Sequence, residues 1–186
     1  LGVAKGDRVA VYLPFNWPET VVAYFAAAKI AAIAVPIDSL YTVPEASYIL
    51  ADSGARVVVT TRSLWEPMKQ SGAVPQDPQR AIFVDDETAE DEHSIGFERL
   101  LARAVERSPL VECKGDEVLF LGYTSGTTGK PKGAMLTHAN LLFQVFYGTG
   151  IIQVHPWDRV LDVVPLTHSY MYAAMLGQVV KGGATL

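Results

Sequence analysis

Cysteine is almost missing from this chain: Cys113 is the only one in 186 residues. That excludes an intrachain disulfide and any cysteine-rich metal site. Positive charge is in deficit, with 15 Lys and Arg against 20 Asp and Glu and a net charge of −5. Such a balance gives no general attraction to nucleic acid or to an anionic membrane, so an anionic ligand must be held by local groups. Long apolar runs are lacking too. The most apolar stretch, Val21 to Ile37, is broken by Lys29 and Pro36 and falls short of the roughly 20 residues of a membrane span. No signal peptide and no internal repeat are visible, and His93, His138 and His155 have no metal-ligand spacing among themselves. A cytoplasmic protein fits these features.

What is present is a globular composition, 49% hydrophobic, enough for a sizeable core. The length suits one domain or a large piece of one. The chain opens on Leu1 in the phrase "LGVAKGDRVAVYLP" and closes on "GGATL", so it reads as residues 1–186 of a larger domain, cut at both ends. Short β-branched runs alternate with helical stretches. "RVAVYL", "AIAVPI", "ARVVVT", "AIFVDD", "EVLFLGYT" and "RVLDVVPL" read as strands. Helices are expected from an Asn16 N-cap to about Ala32, over "PEASYILADSG" to a Gly54 cap, from Ser94 to Glu106, from a Thr137 cap over Asn140 to Tyr147, and from Tyr170 to Val180. The alternation predicts an α/β fold, a mostly parallel sheet flanked by helices. The acidic run "DDETAEDE" (Asp85 to Glu92) reads as a solvated loop.

One stretch carries chemistry. In "YTSGTTGKPKGAMLTH", glycines let backbone N–H groups converge without Cβ interference, four hydroxyls add donors, and Lys130 and Lys132 add charge. With no carboxylate in the stretch, and set between a strand and a helix, it describes a phosphate cradle. It is not the common NTPase loop, because Thr124 stands where that pattern needs glycine and Pro131 where it needs a hydroxyl. Nor is there a G-x-G-x-x-G fingerprint.

From Leu121 through Lys132 the stretch resembles the phosphate-loop signature of the adenylate-forming enzymes, which include the acyl-CoA synthetases. The opening "GVAKGDRVAVYLPFNWPETVVAYFAAAKIAAIAVPIDSLYT" and the closing "VVPLTHSYMYAAMLGQVVKGGATL" are similar to the same family. "GAMLTHANL" and "PLTHSY" look most like synthetases of fatty or aryl acids. The resemblance implies a fragment of the large N-terminal domain of a ligase that uses ATP with Mg2+ and then coenzyme A. It implies that Thr124, Ser125, Gly126, Thr127, Thr128, Gly129 and Lys132 hold ATP phosphates, with Thr127 near the Mg2+, and that His168 and Tyr170 line an acyl pocket. No catalytic residue is identifiable, since the family's adenine, ribose and Mg-glutamate sites and its catalytic lysine lie downstream. A non-catalytic nucleotide- or acyl-binding module is the alternative. Two departures stand out. Lys29-Ile30-Ala31 replaces a frequent Lys-Ala-Gly and reads as a packing variation, while Met171 replaces a frequent glycine beside the acyl pocket and leaves the acid open.

Overall fold

The structure is a computed structural model that describes residues 1–72, 74, 80–105, 111–124, 130–148 and 152–186. Seven strands form one sheet: β1 (Arg8–Tyr12), β2 (Ile33–Pro36), β3 (Val57–Thr60), β4 (Arg80–Phe83), β5 (Ser94–Gly96), β6 (Val118–Thr124) and β7 (Lys132–Thr137). Their order is β5-β4-β3-β1-β2-β6-β7. Every neighbouring pair is parallel except β6 and β7. The central strands are β-branched on both faces because both faces are covered. Val9, Val11, Val57, Val59, Ile82 and Phe120 form one core layer, and Ala10, Val35, Ile37, Val58, Ala81 and Phe83 form the other.

Helices α1 (Pro18–Lys29), α4 (Phe97–Ala102), α5 (His138–Gly148) and α6 (Leu176–Gly182) supply the first layer. A π-helical turn, Met171–Met175, leads into α6. Helices α2 (Val43–Ser53) and α3 (Arg62–Gln70) pack on the second. The α2 helix shows how local signals fix its ends. Glu45 Oε2 accepts from the Thr42 N–H at 2.8 Å and the Thr42 hydroxyl at 2.7 Å, and Gly54 ends the helix in the left-handed region at φ 59°.

Several expectations are corrected. Asn16 does not cap α1; Trp17 holds that place. Asn16 instead adopts φ 53°, and its amide reaches across the fold, donating to the Asp162 carbonyl at 3.2 Å and accepting from the Leu166 N–H at 2.9 Å. Residues 94–96 are strand β5, not helix, because Ala81, Ile82 and Phe83 offer a ladder there. Residues 159–166 form no strand among the described residues, where Arg159 makes only an isolated bridge to Thr185. The α1 helix, apolar nearly all round, is covered on one side; Val22 and Phe25 remain exposed.

The acidic run is not merely solvated. Asp85 accepts the Arg62 N–H at 2.9 Å at the start of α3, and Asp86 pairs with Arg62 at 2.9 Å. Glu90 pairs with Arg99 and Arg103, and Asp91 accepts from the His93 N–H at 2.7 Å and the Ser94 hydroxyl at 2.8 Å. Finally, Ala31 sits at φ 54°. The departure at this position bears on the backbone and not only on packing, because glycine takes that conformation with far less strain than alanine.

Candidate functional site

The β6–β7 hairpin corrects the expected placement of the glycine-rich stretch: it joins two antiparallel strands, not a strand and a helix. Thr124, at the carboxyl end of β6, pairs directly with Lys132, the first residue of β7. Of the expected phosphate-binding residues, Thr124 and Lys132 are described, and both are exposed. Ser125, Gly126, Thr127, Thr128 and Gly129 lie outside the described residues. The Mg2+ contact expected at Thr127 therefore lies outside them as well. Among the described residues no group of three or more His, Cys, Asp or Glu side chains is placed to hold a metal ion.

A carboxylate stands close to this hairpin, which the stretch itself does not reveal. The Tyr123 hydroxyl donates to Asp52 Oδ2 at 2.6 Å, and the Tyr48 hydroxyl donates to Asp52 Oδ1 at 3.4 Å. Burial first, and then the Asp52 carboxylate, push the Tyr123 phenol well above its ordinary range, so it stays protonated and donates. Lys130 Nζ lies 5.9 Å from the centre of the Tyr48 ring. None of these partners lies near the hairpin in sequence, so only the fold could show the cluster.

Behind β6 lies an apolar cavity of about 350 Å3. Leu119 and Phe120 of β6, Tyr24 of α1, Leu141 and Val145 of α5, and Tyr172 and Leu176 line it. Its aromatic wall is ordered: Phe120 and Tyr172 stack at 4.5 Å, and Tyr24 meets Phe120 edge-on at 5.0 Å. The notable polar atom is His138 Nε2, buried with no hydrogen-bond partner among the described residues. Burial lowers the His138 pKa below 6.5, which keeps the imidazole neutral in an apolar wall. In the sequence His138 is one of three histidines without metal-ligand spacing, and its only further signal is its position at the start of an apolar helix.

His168 and Tyr170 lie elsewhere. Both are exposed. The His168 Nδ1 accepts the Tyr170 N–H at 3.2 Å, and its carbonyl accepts the Met171 N–H at 2.9 Å. Tyr170 lines a more open cleft with Leu136, Asn140, Phe143 and Gln144. Tyr170 is thus brought together with α5, and neither residue lines the apolar cavity.

A parallel sheet whose loops emerge at the carboxyl ends of its strands, with a polar hairpin on one side of β6 and an apolar cavity on the other, defines an α/β ligand-binding domain. The chain belongs to the AMP-binding enzyme family, which it matches over residues 1–186. It is 37% identical over 185 residues to the long-chain-fatty-acid–CoA ligase FadD13 of Mycobacterium tuberculosis, covering 98% of this chain and 35% of that protein. It is 32% identical over 174 residues to a crotonobetaine/carnitine–CoA ligase of Salmonella typhimurium, covering 90% of this chain and 33% of the other. The fold is similar to the inhibitor-bound N-terminal domain of FACL13 from Mycobacterium tuberculosis, with a TM-score of 0.81 and 36% identity over 100% of this chain and 44% of that one. The chain spans about a third of the length of the curated relatives it matches.

Proposed function

We infer that this chain is part of the large N-terminal domain of an ATP-dependent carboxylic acid–CoA ligase acting in the cytoplasm on a fatty or aryl acid. The reaction begins with attack of a carboxylate oxygen on the α-phosphorus of ATP, which releases pyrophosphate and leaves an acyl-adenylate. The coenzyme A thiol then attacks the acyl carbonyl and AMP departs. One observation carries the reading: a single strand borders the apolar cavity and leads into the hairpin. Leu119 and Phe120 of β6 line the apolar cavity, and the same strand runs on to Thr124 at the hairpin, about 13 Å further at strand rise. An acyl group behind the strand and a triphosphate beyond its end are thereby held at a fixed separation.

In this reading Thr124, Ser125, Gly126, Thr127, Thr128, Gly129 and Lys132 hold the β- and γ-phosphates and stabilise charge on the departing pyrophosphate. Magnesium, bound near Thr127, neutralises phosphate charge when present. In the same reading Tyr172, Leu141 and Leu176 wall the acyl site, while Tyr170 approaches it from the neighbouring cleft, which shares Leu141 with the cavity, and His168 holds the Tyr170 N–H in place.

The test is acid-dependent exchange of labelled pyrophosphate into ATP by the full-length protein, across fatty and aryl acids. Exchange is expected, and Lys132→Ala should weaken ATP and pyrophosphate binding by about 1.5–3 kcal/mol, the value of one charge-assisted hydrogen bond. Residues 1–186 alone should give none, because the groups of such a site act as a set. No exchange with any acid by the full-length protein, or undiminished affinity in Lys132→Ala, would overturn the assignment.

A further inference from the structure

The two ends of the hairpin segment meet the same turn of α2. Tyr48 and Asp52 are four residues apart and so share a helix face. Before the segment, Tyr123 donates to Asp52 at 2.6 Å; after it, Lys130 Nζ lies 5.9 Å from the Tyr48 ring centre; and Tyr48 is itself bonded to Asp52 at 3.4 Å. The contact spans 71 residues of sequence. It matters because, among the described residues, β7 is the outermost strand of the sheet and is exposed through most of its length. The contact sits at the turn end of this hairpin, where Tyr123 pairs with Gly133 and Thr124 with Lys132, and a strand end with few packed neighbours opens locally unless something holds it.

Resting on the reading of the hairpin as a phosphate site, we propose that Asp52 and Tyr123 are positioning residues for ATP. They clasp the β6–β7 hairpin to α2 so that Thr124 and Lys132 stay in register before the nucleotide arrives. The gain is preorganisation: ordering done at folding is not required again at binding. Neither residue touches substrate. A carboxylate accepting from a phenol suits the task, since a charged acceptor makes the shorter and stronger bond. Tyr123, protonated well above its ordinary range, can serve as its donor at any working pH.

The sign of one substitution separates this role from a simple charge effect. If Asp52 acted only through its negative charge, Asp52→Asn would relieve repulsion and tighten pyrophosphate binding. If it clasps the hairpin, the same change weakens binding. The experiment uses the full-length protein with Asp52→Asn, Tyr123→Phe and the double variant. Titration with inorganic pyrophosphate, steady-state kinetics and hydrogen exchange of the β6 and β7 amides are measured together. We expect a three- to tenfold rise, about the worth of one hydrogen bond, in pyrophosphate Kd and ATP KM in each single variant. The double variant should be no worse than the weaker single one. The KM for the acid should stay unchanged, as should kcat at saturating ATP, and β6–β7 amides should exchange faster while β1–β3 amides do not. Tighter pyrophosphate binding in Asp52→Asn, additive losses in the double variant, or unaltered exchange in the hairpin would overturn the proposal. If the unsubstituted protein shows no acid-dependent exchange of pyrophosphate into ATP, the assigned function fails by itself, and the amide exchange still decides whether the clasp exists.

Discussion

The Tyr172 hydroxyl lies directly over Gly122, so that a Cβ added to Gly122 would overlap it. Gly122 is buried in mid-strand on β6, where glycine ordinarily weakens a sheet. Here the missing side chain is what lets the Phe120–Tyr172 stack close one wall of the cavity. Gly122→Ala should therefore destabilise the fold by about 1–3 kcal/mol, the usual cost of overpacking. Adding Tyr172→Phe should recover most of it, since the next nearest atom, Cζ, lies 3.6 Å away in ordinary contact. Urea titration of the two variants checks this; equal losses in single and double variants would refute the close approach.

Ala31 offers the opposite substitution. At φ 54° and 7% exposure it carries left-handed strain of roughly 1–2 kcal/mol. Part of that returns as backbone entropy on replacement by glycine. Ala31→Gly should thus stabilise by up to about 1 kcal/mol, read as a higher denaturation midpoint at unchanged slope. A lower midpoint would show that the strain is relieved in some other way.

For His168 two roles can be separated by two variants. The Nδ1 bond to the Tyr170 N–H at 3.2 Å is one that asparagine can reproduce at a helix start. His168→Asn should keep the melting temperature, while His168→Ala lowers it. Both should reorder preference among acids by about 1–3 kcal/mol, with the KM for ATP little changed. Preference that follows the melting temperature instead would leave His168 a purely structural residue.

His138 makes stability depend on pH. Burial holds its folded pKa below 6.5, so as pH falls through that value the unfolded chain takes up the proton first. Stability should be fully present above 6.5 and decline from there down to the folded pKa. His138→Phe should remove that slope without disturbing the apolar wall. Denaturation across pH 5 to 8 checks it, and a variant that keeps the slope would place its origin in another group.

The inner strands and α2 were legible because their signals are local. Val57–Thr60 is β-branched, and the Thr42 to Glu45 capping box and Gly54 mark both ends of a helix. β7 was not legible, because an exposed edge strand has no buried face to impose alternation on "KGAMLT". α3 was missed because Pro67 interrupts it, although Trp65 and Met68 are its buried residues. The acidic run is the solvated loop that its composition suggests, but its ion pairs were not legible. Its partners Arg62 and Arg103 lie up to 24 residues away, where sequence pattern has no reach. At the site, the resemblance named Thr124 and Lys132, while Asp52, Tyr172 and His138 needed the fold to bring α2, the π-helical turn and α5 to the same strand.

The pairing of β2 with β6 sets a schedule for the protein during synthesis. Ala34 and Phe120 are ladder partners, so β2 leaves the ribosome long before the strand that covers its side. At about 5–20 residues per second the interval is on the order of 4 to 17 seconds. Through it the N-terminal strands have an open, apolar border, one that invites pairing with nascent neighbours. Slower translation between these two strands should lower the yield of folded protein, and any factor that shields the border until Phe120 emerges should restore it.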